Sequence, residues 1–79
     1  ALKNNNDNVF SFLRFDDKEA FVIAVNLFHA DQPVTIDLTG AAVQGKSVKN
    51  IFGKQQAAIS GSAMSFAIRS YDVMVWKLE

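Results

Sequence analysis

The side chains of this chain that could do chemistry are few and scattered. The 79 residues include eight acids, one histidine and no cysteine. Three of the acids, Asp16, Asp17 and Glu19, crowd a short segment around Lys18. Acid–base hydrolysis by paired carboxylates needs the two groups about 5–10 Å apart, facing each other across a bound substrate in a cleft. Adjacent residues in an exposed turn do not offer that geometry, so these acids read as solvated turn residues. His29 stands alone, which excludes a multi-histidine metal cluster and leaves it as a solvated loop residue. Ser60, Ser62 and Ser65 surround Gly61, but no base accompanies them to complete a nucleophile pair. The loop Gly40 to Gly45 is read as lacking the lysine–hydroxyl pair of a phosphate loop, so no nucleotide site is expected from it. No catalytic residue, metal ligand or cofactor is assigned.

Composition narrows the field further. Eight basic residues balance the eight acids, for a formal net charge of zero. Nucleic acid and anionic membrane both call for a basic surface excess, so neither is the expected partner. No apolar run approaches the roughly 18 residues of a membrane span. Without cysteine there is no disulfide framework, and at this length the core is thin. Stability must come from apolar packing, for which 49% hydrophobic residues and seven Phe supply the material. The chain opens on Ala1 and reads as a piece of a longer protein or a processed one. Residues 1–8, rich in Asn, form a polar lead-in expected to be the remnant of a linker from an upstream domain. Residues 9–79 form one domain.

What positions these residues is a succession of short strands. Val9 to Phe15, Ala20 to Leu27, Val34 to Leu38, Ser47 to Phe52, Met64 to Ile68 and Tyr71 to Leu78 are rich in Val, Ile and Phe and are separated by polar, Gly or Pro punctuation. The first two are joined by the charged turn and form a hairpin. No stretch keeps helical apolar spacing over three turns. The expectation is an all-β fold, a small antiparallel β-sandwich of six to eight strands with Greek-key-like connections.

Alternation assigns the faces. Phe21, Ile23, Val25 and Leu27 are expected to point inward, as are Val34, Ile36 and Leu38, then Met64, Phe66 and Ile68, then Met74, Trp76 and Leu78. The second and last strands are apolar on their other side too. A free-standing sandwich usually presents a polar outer face, so Val22, Ala24, Val73 and Val75 are read as a face that docks on something outside the chain. The alternative is that loops of the chain itself cover these strands.

Five segments carry a family likeness. Val9-Phe10-Ser11-Phe12-Leu13-Arg14, a charged turn, and Phe21-Val22-Ile23-Ala24-Val25-Asn26-Leu27 resemble the opening of the C-terminal β domain of the α-amylase superfamily, glycoside hydrolase family 13. Val34 to Leu38 resembles the third strand of that domain. Asn50-Ile51-Phe52-Gly53-Lys54 is similar to the segment often written Asp-Leu-Leu-Thr-Gly-Glu, with Asn50 where Asp is common. Ile68 to Trp76 resembles the closing hairpin, without the proline many members carry. The likeness spans the chain from Asn8 onward and rests on the order and spacing of these segments.

The resemblance implies a non-catalytic accessory domain of an α-amylase-type glycoside hydrolase. It would pack against the upstream catalytic barrel of the parent chain, which holds the catalytic acids and acts on α-glucans. Two rivals stay open: a module that binds α-glucan, and a free-standing sandwich that serves as an interaction domain. For sugar binding the aromatic candidates are Tyr71 and Trp76, although Trp76 shares a strand face with Met74 and Leu78 and so reads as core. Arg14 and Asn26, polar residues on apolar strands, are read as satisfying neighbouring backbone or side-chain groups.

Overall fold

A computed structural model describes residues 2–16, 19–39 and 48–78. Asp17 of the charged turn and the expected Gly40–Gly45 loop lie outside the described residues. Among them are seven strands: β1 (Val9–Phe15), β2 (Ala20–Asn26), β3 (Gln32–Asp37), β4 (Val48–Asn50), β5 (Ala58–Ser60), β6 (Ala63–Ile68) and β7 (Val73–Leu78). All pairings are antiparallel, in one sheet ordered β1-β2-β7-β4 and another ordered β3-β6-β5. The chain changes sheet between β2 and β3, and β7 returns to lie between β2 and β4. This is the small all-β sandwich that the strand pattern leads one to expect.

Local chemistry accounts for the elements. The β1–β2 turn closes when the Asp16 N–H donates to the Glu19 carbonyl at 2.9 Å and the Glu19 N–H to Asp16 Oδ1 at 2.8 Å. β3 starts two residues earlier than its alternation indicates and includes Pro33. It is an edge strand paired only with β6, the position where a residue without an N–H is tolerated. β5 is short, and sequence reasoning did not anticipate it. Residues 2–5, part of the polar lead-in, are hydrogen-bonded to both sheets. Leu2 N–H donates to the Ser11 carbonyl of β1, and Lys3 O and Asn5 Oδ1 accept from Asp37 and Thr35 of β3. This segment closes one open side of the sandwich.

Between the sheets lie Val22, Ile36, Met64, Phe66, Ile68 and Trp76, all buried. The Phe66 and Trp76 rings meet at 5.0 Å with a 52° tilt, within the favoured range for tilted aromatic pairs. Trp76 Nε1 is buried without a hydrogen-bond partner, so the indole contributes packing alone and carries the cost of a dry donor.

One strand is turned the other way from expectation. Val22 and Ala24, read as the outer side of β2, are 0% exposed and belong to the core. Phe21, Ile23 and Val25 are half-buried on the outside. The reason is steric fit. Val22 lies directly across from Trp76 and Ala24 from Met74, so the inner side of β2 takes small residues where β7 supplies large ones. Ranking the two sides by bulk picks the wrong one.

Asn26 closes β2 at the buried end. Its Nδ2 donates to the carbonyls of Ala30, Ile68 and Arg69 at 3.0, 3.2 and 2.9 Å, and its Oδ1 accepts from Phe28 N–H at 3.0 Å. It ties the β2–β3 connection to the β6–β7 turn and so fixes both crossings at that end.

Candidate functional site

The chemistry-bearing groups form no catalytic set among the described residues. A surface hollow of about 360 Å³ is lined by Asn50, Phe52, Lys54, Gln55, Arg69 and Asp72 among others. It contains one carboxylate, and Asp72 Oδ1 already accepts from the Val73 N–H at 2.8 Å. His29 is exposed and stacks on Phe28 at 4.2 Å. Ser65 is hydrogen-bonded to Thr35, 2.9 Å between their hydroxyl oxygens. No group of three or more metal-binding side chains occurs among the described residues.

One motif went unnoticed in the loop reading. Gly40 to Ser47 has the order G-x-x-x-x-G-K-S of a phosphate loop, with Lys46 and Ser47 after Gly45. Phosphate capture by that motif depends on a helix following the loop, whose N-terminal amides face the anion. Here the next element is strand β4. The motif itself lies outside the described residues, and its all-β context gives no support for a nucleotide site.

The aromatic candidates separate. Trp76 is 1% exposed and sits in the core, so it offers no platform to a sugar. Tyr71 is 70% exposed, in the β6–β7 turn, with φ of 52°. That left-handed value is unusual for a bulky residue and carries strain. Its N–H is bonded to the Phe28 carbonyl at 3.2 Å.

The extended surface feature is the outer face of the β1-β2-β7-β4 sheet. Register places its side chains in three rows across the strands. Phe10, Val25 and Val73 form the first. Phe12, Ile23 and Val75 form the second, and Ile51 prolongs it with its N–H bonded to the Val75 carbonyl at 3.0 Å. Arg14, Phe21, Lys77 and Lys49 form the third. Of the four residues expected to dock, Val73 and Val75 are on this face, and Val73 is 45% exposed. Val22 and Ala24 are not. Sequence reasoning missed Phe10, Phe12 and Ile51 as members, although β1 shows the same alternation once its pairing to β2 is known.

The other sheet gives the internal reference. Its outer side carries Pro33, Thr35 and Asp37 of β3, Ala63, Ser65 and Ala67 of β6, and Ala58 and Ser60 of β5. These are small or polar residues, the usual solvated side of an antiparallel sheet. Asp37 is settled there as an anion: the Thr39 hydroxyl and N–H both donate to its Oδ1, and Lys3 adds a weaker attraction. Together they hold its carboxyl below the ordinary carboxylate range.

No curated protein matches the chain. A family model described as maltogenic amylase, C-terminal domain, matches residues 1–75. This covers β1 to β6 and the start of β7, including both sides of the sandwich described above. The chain therefore belongs to the maltogenic amylase C-terminal domain family and is an accessory domain of an amylase-type enzyme.

Proposed function

We propose that this domain packs against the catalytic barrel of the same parent chain through the outer face of the β1-β2-β7-β4 sheet, and stabilises the enzyme without acting on substrate itself. The carrying observation is the contrast between the two outer faces. One sheet shows water a small, polar surface, whereas the other presents Phe10, Phe12, Ile23, Val25, Val73 and Val75 in adjacent rows. A contiguous aliphatic and aromatic patch of this kind marks an interaction surface. Membership of a C-terminal amylase family supplies the occupant, because a catalytic domain precedes such a domain in the parent chain.

The magnitude is sufficient. Contacts between domains of one chain bury about 600–1,500 Å². If roughly 300 Å² of that is apolar, burial contributes up to about 7.5 kcal/mol at 25 cal/mol per Å². Part of it is spent on ordering side chains, and the remainder still matches the stability of a small domain. Catalysis on α-glucan then belongs to the barrel. Of the two aromatics expected to bind α-glucan, Tyr71 alone is exposed, since Trp76 lies in the core.

The test uses the parent enzyme. Ile23→Asp and Val75→Asp bury an unpaired charge if the face is docked. They are expected to separate the unfolding of this domain from that of the catalytic domain in calorimetry, and to lower the temperature at which activity is lost. Thr35→Asp, on the polar sheet, is the control. If all three variants behave alike, the docking reading is wrong.

A further inference from the structure

Within the three rows of the docking face, charged residues occur only in the third. The rows Phe10–Val25–Val73 and Phe12–Ile23–Val75–Ile51 contain no charged residue. The third row holds three cations in register, Arg14, Lys77 and Lys49, with Phe21 between the first two. Lys49 and Lys77 are directly opposite each other on neighbouring strands, an arrangement that like charges disfavour. Glu19 partly answers it, with its Oε2 3.6 Å from Lys77 Nζ. Arg14 and Lys49 are exposed and have no ion pair among the described residues.

Resting on the reading that the catalytic barrel covers this face, we infer that the barrel surface is apolar opposite the first two rows and carries carboxylates opposite Arg14, Lys77 and Lys49. The argument follows from the register. Any surface that covers Phe21 must also approach the cations on either side of it, because neighbouring strands are only about 4.8 Å apart. A cation pressed against an apolar partner loses its hydration with nothing in return. A carboxylate there relieves both that cost and the Lys49–Lys77 repulsion, and an Arg14 guanidinium can take it with two parallel hydrogen bonds. The row also sets direction. Turning the domain by half a rotation on its face would place the cations over the apolar end of the barrel surface. The apolar rows thus hold the domain, and the cation row orients it.

The experiment compares three forms of the parent enzyme by calorimetry: unaltered, with Arg14→Gln and Lys49→Gln together, and with Arg14→Glu and Lys49→Glu together. Charge reversal is expected to split this domain's unfolding from that of the catalytic domain, and neutralisation to lower the shared midpoint without splitting it. Raising salt from about 0.1 M to about 1 M shortens the screening length from about 10 Å to about 3 Å. It should lower the midpoint of the unaltered enzyme, a readout that needs no variant, and leave that of the neutralised form nearly still. If reversal and salt change nothing while Ile23→Asp splits the transitions, the cation row plays no part and the docking reading stands. If Ile23→Asp also changes nothing, both fall.

Discussion

The two sheets of this sandwich share one core and differ on their outer sides. Across β3, β6 and β5 the outward residues include Thr35, Ser65, Asp37 and Ser60, with alanines between them. Across β1, β2 and β7 they are Phe10, Phe12, Ile23, Val25, Val73 and Val75, with Arg14, Phe21 and Lys77 at one end. Both sheets obey the same period of two, so alternation alone does not distinguish them. We attribute the difference to what each sheet is proposed to face, water in one case and the catalytic domain in the other. The inner sides show a different rule. There residue size follows the partner on the neighbouring strand, with Ala24 beside Met74 and Val22 beside Trp76.

The comparison can be broken most forcefully from inside. Trp76→Ala or Phe66→Ala should cost about 3–5 kcal/mol through lost burial and a residual cavity, read as a drop in denaturation midpoint. Trp76→Phe should cost less, because the phenyl ring keeps much of the buried volume. Equal losses for the two Trp76 variants would mean that ring volume at this position does not set the stability of the core. Next comes Asn26→Ala, which leaves three carbonyls without their donor and should cost about 3 kcal/mol. Its signature would be faster amide exchange at both ends of the β2–β3 connection and the β6–β7 turn. Outer-face changes in the domain are smaller and opposite in character. Thr35→Ala removes an exposed-sheet hydroxyl bond and should shift stability by about 1 kcal/mol or less.

The smallest effect is pH-dependent and belongs to the polar sheet. Thr39 and Lys3 lower the Asp37 pKa on folding, so the anion is favoured by the folded state. That contribution is fully present above the ordinary carboxylate value and is lost as pH falls through the lower, folded one. Asp37→Asn should therefore remove a small stabilisation at neutral pH, flatten the loss of stability below about pH 4 and leave the slope near neutral pH unchanged. A change in slope at neutral pH instead would assign the effect to another group.

Much of this architecture was legible in the residues, and the misses have physical causes. Strands rich in Val, Ile and Phe between polar turns identify the all-β fold, and the double apolar character of β2 and β7 identifies the sheet with an unusual outer side. Which side of β2 faces in is not a local property. It depends on Trp76 and Met74, some fifty residues away in the chain, and Phe21 and Ile23 are bulkier than Val22 and Ala24. β5 is three residues of Ala, Ile and Ser beside glutamines and alanines, too short to show a period. The Asn26 bonds reach Ile68 and Arg69 and become visible only once β2 and the β6–β7 turn are brought together. The cation row likewise needs three pairings before Arg14, Lys77 and Lys49 appear in one line.

The central claim is that, of the two outer faces, one meets water and the other meets the catalytic domain. The chain has no cysteine of its own, which permits a direct comparison by thiol labelling. Val73→Cys places a thiol on the apolar face and Ala67→Cys on the polar one, both at exposed positions of this domain. Each is introduced into the parent enzyme and its modification rate followed at that site by peptide mass analysis. The account predicts fast labelling at Cys in place of Ala67 and strong protection at Cys in place of Val73, lost when Ile23→Asp is added. Equal, fast labelling at both positions in the intact enzyme would contradict it.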